Sequence, residues 1–438
     1  MRDHSNHTEL PREEAVALLL QHAGFQVSAD EDIPQDRCEV IPVQDSCGRV
    51  LARDVVSQAE MPNTPTCMLD SIAVHWEDFA DGIMPNTSAW VRGVDWQFAN
   101  TGIAMPDGFD TAIVIEHVVV SDDGEHVQLN AMPSKQFAGT NPCGSRCAFG
   151  QVIAHAGEVI TPDVAARIAG TNALFVTVVR KPHVVFIPTG NELVPLGMGR
   201  VLPGKNLETN SLLISKKIEA WGATCTVLPI LPDTRDALEQ ALKYAASLGD
   251  IVVLNAGSSK GSDDWSVEVI QELGEVLYHQ VNHGPGHHCF AGVVDGKDII
   301  GISGPPGGAS FCAEFYIRPV LMSFLGLSSE PKFISAKLTG EFTPHVHKGN
   351  GPLPGESRPS EVHPNGTFTS VKAVNIHLGP DGVVYADPVK GKIGSAATQH
   401  ANGMFMMGSG DNDTGPCAGD IIQVELREPT LLSTTRNR

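Results

Sequence analysis

One short stretch, NHGPGHHC at residues 282–289, holds the densest set of metal-binding and acid–base side chains in the sequence. Its ligand-type residues are three histidines and one cysteine: His283, His287, His288 and Cys289. Transition metals take such ligands, and histidine also changes charge near pH 6.5, so it can donate to an anion. The glycines and the proline, however, indicate a turn rather than a helix that presents paired histidines. Three interpretations therefore remain: a metal site, an anion site that depends on protonated histidine, and a turn without a ligand.

Four further loops carry glycine or polar side chains where a strand is predicted to end. They are PTGNEL (188–193), ILPDT (230–234), NAGSSKGSDDW (255–265) and ISGPPGGAS (302–310). Glycine lets the backbone approach a ligand, and a helix that starts behind such a loop offers free N–H groups to an anion. None matches a dinucleotide or P-loop motif, so a dinucleotide site or an ordinary NTPase is disfavoured. We expect one ligand site where these loops meet.

The carboxylates in these loops are Glu192, Asp233, Asp263 and Asp264. Taken singly, Asp233 and Asp264 suit helix capping. Converging on one crevice, the carboxylates favour Mg²⁺, which takes one or two carboxylates together with ligand phosphates.

The elements that position these loops alternate from about residue 183 to 326. Continuous apolar strands such as DIVVLNAG follow amphipathic helices such as TRDALEQALKYAASLG, which predicts a doubly wound, mostly parallel sheet covered on both faces. Short strands and turn signals between about 70 and 155 predict a small β-rich domain. The last hundred residues show the same style and predict a β-barrel-like domain.

Composition bounds the class of protein. The chain has 438 residues, 42% hydrophobic and 18% charged, as in a soluble protein of several domains. A net charge of −21 disfavours nucleic acid and anionic membranes as partners. No apolar window reaches the length of a membrane span, and the N-terminal segment lacks a signal-peptide core. The nine cysteines form no CxxC pair, so we expect reduced thiols and a cytoplasmic location.

Several segments occur in the order and spacing of a known family. They are MPNTPTCMLDSIAV (61–74), NTGIAMPDGFDTAIVIE (100–116), PTGNEL, LETN (207–210) and AGSSKGSDDW (256–265). On these motifs the chain resembles the molybdopterin molybdenumtransferase family, the bacterial MoeA proteins and the gephyrin E domain. The resemblance implies four domains: a linker domain (8–55 and 155–182), a β-rich insert (56–154), an α/β molybdopterin-binding domain (183–328) and a C-terminal β domain (329–438). It also implies a homodimer.

The resemblance further implies insertion of molybdate or tungstate into adenylated molybdopterin, with Mg²⁺ and release of AMP. The resemblance implies catalytic roles for Asp70, Asp264 and Glu192, which match positions of the family motifs. Asp264 and Asp233 are the implied magnesium ligands. Matching positions for substrate binding are Thr101, Glu116, Asn210, Asp233 and Ser259.

Two loops depart from the family pattern. The family's K-P-G-K-P loop is GPGHH here, which keeps Pro285 and Gly286 but puts His287 where a lysine stands. Arg146 stands where the family has an acidic residue, and SGPP, with Gly304, replaces P-G-N-P. We expect Arg146, His287 and Gly304, with Pro285 and Gly286, to contact the substrate.

Three functions follow from this pattern. The first is the molybdenum- or tungsten-inserting transferase. The alternative is a non-catalytic pterin- or cofactor-binding paralogue or scaffold, which the lost lysines favour. A metal-dependent hydrolase that uses the histidine loop is the third.

Overall fold

A computed structural model describes residues 9–25, 32–197, 199–255, 265–342, 368–391, 398, 400–408 and 415–427. The chain divides into two compact units: residues 32–179, called the inserted unit, and the remaining residues, called the sheet unit. The α-helices of the described ranges are α1 (Arg12–Ala23), α2 (Pro162–Ala169), α3 (Asn210–Ala220), α4 (Arg235–Leu248), α5 (Ser266–Leu273), α6 (Pro306–Cys312) and α7 (Arg318–Leu325). None of the helices in these ranges is both long and apolar enough to cross a membrane. The four-domain division stays a prediction.

The inserted unit consists of short strands and one helix. Its strands are β1 (Cys38–Pro42), β2 (Val55–Val56), β3 (Thr66–Cys67), β4 (Ser71–Val74), β5 (Trp96–Ala99), β6 (Thr111–Val114), β7 (Val118–Val120), β8 (Val127–Leu129), β9 (Thr140–Asn141), β10 (Val152–Ala154) and β11 (Phe175–Val179). One core lies between the sheet β5-β4-β6 and the hairpin β7-β8 and is centred on the fully buried Trp96. A second core packs α2 against the β1–β11 pair, with Ile160 and Ile168 at its centre. The Thr161 side chain caps α2, and Pro162 is its first residue.

The sheet unit contains the predicted doubly wound sheet. Its strands are β12 (His183–Pro188), β13 (Leu193–Val194), β14 (Asn206–Leu207), β15 (Thr224–Val227), β16 (Ile251–Asn255), β17 (Gly274–His279), β18 (His283–Gly284), β19 (Phe290–Val294) and β20 (Lys297–Ile302). The main sheet has the order β15-β12-β16-β20-β19-β17, and its first four strands are parallel. Val252, Val253 and their neighbours are fully buried, which explains their unbroken apolar runs. β19 and β17 are antiparallel to the rest, a detail that the helix–strand alternation did not predict.

The C-terminal strands form a closed barrel, which confirms the predicted β-barrel-like domain. The strands are β21 (Phe333–Leu338), β22 (Thr369–Leu378), β23 (Val384–Pro388), β24 (Gly403–Gly408) and β25 (Ile421–Leu426). They pair in the order β22-β23-β21-β25-β24, and β24 pairs again with β22. β18, from the histidine stretch, adds to the barrel by pairing in parallel with the start of β22.

Helix α1 belongs to the sheet unit, and its buried face explains why. Ala15 and Leu19 are fully buried where α1 packs on α7. His22, in the last turn, lies 2.7 Å from the carboxylate of the buried Asp298 on β20. Gly24 ends the helix in the left-handed conformation, as its position predicts.

Gly301 supplies a test of the central sheet. It pairs with Phe290 on β19, and a Cβ there would lie 2.1 Å from the ring of this buried phenylalanine. We expect Gly301→Ala to lower the free energy of unfolding by about 1–3 kcal/mol, because overpacking a rigid core forces side chains off their rotamers. Urea unfolding measures the effect. Gly408→Ala is the matched control, since a Cβ at this strand glycine meets nothing within 4 Å. Equal stability of the two variants would contradict the packing at Gly301.

Candidate functional site

The ends of three parallel strands are joined by side-chain hydrogen bonds. Asn210, the first residue of α3, donates from Nδ2 to Asn255 Oδ1 at 2.8 Å and to the carbonyl of Gly304 at 2.7 Å. Asn255, at the end of β16, donates in turn to the carbonyl of Ser303 at 3.2 Å. Thr189, after β12, donates to the carbonyl of Asn255 at 3.0 Å. The predicted site residues Asn210 and Gly304 are therefore in direct contact, and Asn255 links them to β12.

Two buried oxygens at this point have no partner among the residues that the structure describes. Asn210 is 6% exposed, yet its Oδ1 accepts no hydrogen bond from those residues, and the buried Oγ of Ser211 likewise has no partner among them. Leaving a buried acceptor unpaired costs about 1–3 kcal/mol, so such atoms indicate a missing partner. The carboxylate of Glu208 accepts from the Ser211 amide at 2.9 Å and so fixes the start of α3. Sequence reasoning did not single out Asn255, Ser211 and Glu208, although the last two lie in or beside the LETN segment.

A second part of the site surrounds the PTGNEL loop. Asp233 accepts a hydrogen bond from the amide of Asn191 at 2.8 Å, and its own amide donates back to Asn191 Oδ1 at 3.3 Å. Asp233 therefore lies beside Asn191, the residue before Glu192. The Glu192 side chain is exposed. Lys205 donates to the carbonyl of Asn191 at 2.5 Å. The structure thus joins the loops that carry the predicted Glu192 and Asp233, and it adds an exposed cation, Lys205, that sequence reasoning overlooked.

Two predicted residues, Asp264 and Ser259, lie outside the described residues, as does Asp263. Their roles as magnesium ligand and substrate contact stay predictions. Asn255 is the last described residue before them and Trp265 the first after them.

The histidine stretch forms a tight turn with its first histidine buried. His283 is 1% exposed, and its Nε2 lies 2.6 Å from the hydroxyl of Tyr316. Burial, together with the charge of Arg12, lowers the pKa of His283 to about 3. The amide of Cys289 donates to the carbonyl of Gly286 at 3.0 Å and closes the turn. His283 is therefore a neutral packing residue at neutral pH.

His287, which replaces a family lysine, has its ring between two protein oxygens. Its Nδ1 is 2.5 Å from the carbonyl of Val281, and its Nε2 is 3.5 Å from the carboxylate of Glu9. Glu9 is largely buried, and the next residue, Leu10, forms a β-bridge with Val281. Within the described ranges, no group of three or more His, Cys, Asp or Glu residues is arranged to hold a metal ion. The geometry gives the metal interpretation of this turn no support, and anion binding by His287 stays a prediction.

The remaining predicted residues lie in the inserted unit. The Asp70 carboxylate accepts hydrogen bonds from the amide and the hydroxyl of Thr101, both at 2.9 Å. These bonds lower the pKa of Asp70, so the exposed carboxylate is charged at neutral pH. Asp70 and Thr101 thus form one local group, and their catalytic and substrate-binding roles stay predictions. Glu116 and Arg146 are exposed at other points of the unit, and the Arg146 amide donates to the carbonyl of Met61 at 2.8 Å.

The fold and the strand-end site define a protein with a molybdopterin-binding type of α/β domain. The family described as "Probable molybdopterin binding domain" matches residues 185–323, and "MoeA N-terminal region (domain I and II)" matches residues 10–171. The two matches together cover more than half of the chain. The chain belongs to the molybdopterin molybdenumtransferase family, of which the MoeA proteins are members.

Similar proteins agree with this assignment. A protein named molybdopterin molybdenumtransferase from Staphylococcus epidermidis is 25% identical over 406 residues, which cover 89% of this chain and 91% of that protein. The Staphylococcus aureus protein of the same name is also 25% identical, over 407 residues with the same coverage. Two solved structures of the MoeA protein from Pyrococcus horikoshii cover 96% of this chain and 99% and 100% of their own. Their TM-scores are 0.70 and 0.67 at 22% and 19% identity, which shows the shared fold.

The buried neutral His283 predicts a measurable acid sensitivity. Its pKa of about 3 in the folded state lies below the ordinary value of 6.5, so the unfolded chain takes up a proton first as pH falls. The contribution of neutral His283 to the free energy of unfolding is therefore full above pH 6.5 and is lost progressively as the pH falls to about 3. Between pH 7 and pH 5 the loss is about 2 kcal/mol, at 1.36 kcal/mol per pH unit.

His283→Gln tests this directly, because glutamine does not titrate and can still bond to Tyr316. Urea unfolding at pH 7 and pH 5 should show a smaller acid loss for His283→Gln than for the unmodified protein. His377→Gln is the control, since His377 stands half-exposed on β22. An acid loss that His283→Gln leaves unchanged would mean that the histidine is not buried in its neutral form.

Proposed function

We propose that this protein inserts molybdenum, as molybdate, into adenylated molybdopterin and releases AMP. The observation that carries the proposal is the buried amide of Asn210, which joins the strand ends and whose Oδ1 has no partner in the part of the chain that the structure describes. A ligand that supplies N–H or O–H donors, as a pterin does, would satisfy that oxygen. The relatives named molybdopterin molybdenumtransferase and the molybdopterin-binding family match support a transferase of molybdenum cofactor biosynthesis.

The residues of the strand ends would bind and orient the substrate. The N-terminal end of α3, where the Ser211 amide already donates to Glu208, would add a partial positive charge that favours a phosphate or another anion. Asn210 and Ser211 provide acceptor oxygens beside this end of the helix. Because the net charge is −21, an anionic substrate needs such local groups, and the exposed Lys205 adds a cation next to Asn191. Molybdate and tungstate are oxyanions of the same charge, so both belong in the assay.

Magnesium fits the donor atoms of the neighbouring loop. Asp233 and Glu192 offer hard carboxylate oxygens, and Mg²⁺ completes its shell with water and ligand phosphates. When bound, Mg²⁺ would neutralise phosphate charge and polarise the adenylate linkage. Asp264 is proposed as a further ligand beside Asp233 on the family match alone. Asp70, held by Thr101, is proposed to act at the same reaction from the inserted unit.

The alternative is a cofactor-binding paralogue without catalysis. Its support is that His287, in place of a lysine, has both ring nitrogens near protein oxygens. A transferase releases AMP from adenylated molybdopterin and molybdate, whereas a binding protein retains the pterin unchanged. The hydrolase built on the histidine turn has no supporting geometry in the part of the chain that the structure describes.

Asn210→Ala tests the observation that carries the proposal. It removes the shared amide, so we expect at least about tenfold weaker binding of adenylated molybdopterin, the size of one or two lost hydrogen bonds. Calorimetry measures binding, and AMP release measures turnover. Asn206→Ala is the control, because Asn206 is an exposed asparagine on β14. Unchanged affinity of a folded Asn210→Ala protein would remove the strand ends from the site.

A homodimer in the cytoplasm is part of the proposal. Both come from the family resemblance and the composition, and the dimer would let Asp70 and Asp264 act at one site built from two copies of the chain.

Mixing Asp70→Asn chains with Asp264→Asn chains tests this arrangement. Each variant alone should be inactive, whereas a heterodimer regains one intact site and up to about half of the activity per dimer. AMP release from heterodimers purified with two different tags is the measurement. Verified heterodimers that stay inactive would show that the sites are not shared.

A further inference from the structure

A largely buried carboxylate, Glu314, binds two cations beyond the strand-end site. Lys217 Nζ lies 2.5 Å from Glu314 Oε1, and Arg427 donates to both carboxylate oxygens at 2.7 and 3.3 Å. Burial alone would raise the pKa of Glu314, but the two cations hold it below its ordinary value. Glu314 is therefore a permanent anion that joins three segments of the sheet unit: α3, the helix that follows Cys312, and the end of β25.

The start of α3 also contacts the loop that precedes α6, at the strand-end site. Asn210, at the start of α3, donates to the carbonyl of Gly304, two residues before α6. Lys217 lies seven residues further along α3, about 10 Å at 1.5 Å per residue. The helices therefore run side by side in the same direction, with one hydrogen bond at their site end and one ion pair at the other. Two fixed points are enough to set the offset between the start of α3 and the 303–306 loop.

A local irregularity places Glu314 for this contact. Residues Ala313–Ile317 form a π-helical segment between α6 and α7. The two residues after Glu314 contact other parts of the sheet unit. The Phe315 ring lies 3.8 Å from the Arg12 guanidinium, and the Tyr316 hydroxyl bonds to His283. Because a π turn adds a residue to the helix, it changes which side chains share a face. Glu314 thereby faces Lys217 while its neighbours contact α1 and the histidine turn.

We infer that Glu314 is a positioning residue for the proposed transferase site, because its ion pair with Lys217 fixes the offset between α3 and the 303–306 loop. The inference rests on the proposed function for its effect on turnover, but not for its effect on the helices. Glu314 would touch no substrate. Its removal acts through Asn210 and Gly304, whose contact relaxes when the far end of the helix pair is released.

Glu314→Gln is the test, and Glu425→Gln is the matched control. Glu425 is also buried and accepts two hydrogen bonds from Arg12, at 2.6 and 2.9 Å, but it does not join α3 to α6. Both variants should lower the melting temperature. Only Glu314→Gln should speed amide hydrogen exchange, by about tenfold or more, in segments 208–217 and 303–313, because released segments open more often.

The second readout is turnover. Glu314→Gln should lower kcat/KM for adenylated molybdopterin by at least about tenfold, since a misplacement near 1 Å can cost about a hundredfold. Glu425→Gln should change kcat/KM less than twofold. Unchanged exchange in the two segments, or equal changes in both variants, would overturn the inference. Faster exchange confined to Glu314→Gln, in a protein that shows no transfer in any form, would keep the positioning role and reject the proposed function instead.

Discussion

The hydrogen bonds between Asn210, Asn255 and the 303–304 backbone are the constraint on which the site depends. Parallel strands end at one edge of a sheet, but the loops that follow have no regular pairing to hold them together. Here the side-chain amides of Asn210 and Asn255 join β16 to the loop after β20, and the Thr189 hydroxyl joins β12 to the end of β16. Buried polar groups interact strongly because the interior screens them weakly, so the arrangement is rigid. The same rigidity fixes Asn210 Oδ1, which no other described residue contacts as a donor.

Much of the fold follows from periodicity, and the rest depends on contacts between distant segments. A parallel sheet is predicted by the unbroken apolar run of β16 and the amphipathic pattern of α4. Each pattern shows, within the element itself, which faces are buried. The antiparallel strands β17 and β19 were not predicted, since strand direction depends on which neighbour a strand meets. His283 illustrates the limit: its burial comes from Tyr316 and from β22, more than eighty residues away, and neither lies near it in sequence.

Site residues that lie in a recognisable motif could be predicted from the sequence. Residues whose hydrogen bonding or charge depends on contacts with distant segments could not. The strand-end rule and the motifs point to Asn210, Asp233, Glu192 and Gly304, and the structure places these residues at strand-end loops. Asn255 and Ser211 have no motif of their own, and only the unpaired oxygens and shared hydrogen bonds reveal them. The charge of a histidine is equally invisible in sequence, because burial and Arg12 set the pKa of His283.

The histidine turn is best understood as part of the junction within the sheet unit. β18 adds to the barrel, Leu10 pairs with Val281, and Tyr316 of the π-helical segment bonds to His283. A turn that joins the N-terminal segment, the barrel and the π-helical segment is constrained on three sides. A mobile lysine in such a position could follow a substrate anion, whereas a histidine held between Val281 and Glu9 is fixed by the protein itself. For the substrate binding that we propose at the strand ends, Lys205, which donates to the Asn191 carbonyl, would then supply positive charge that the histidine turn does not.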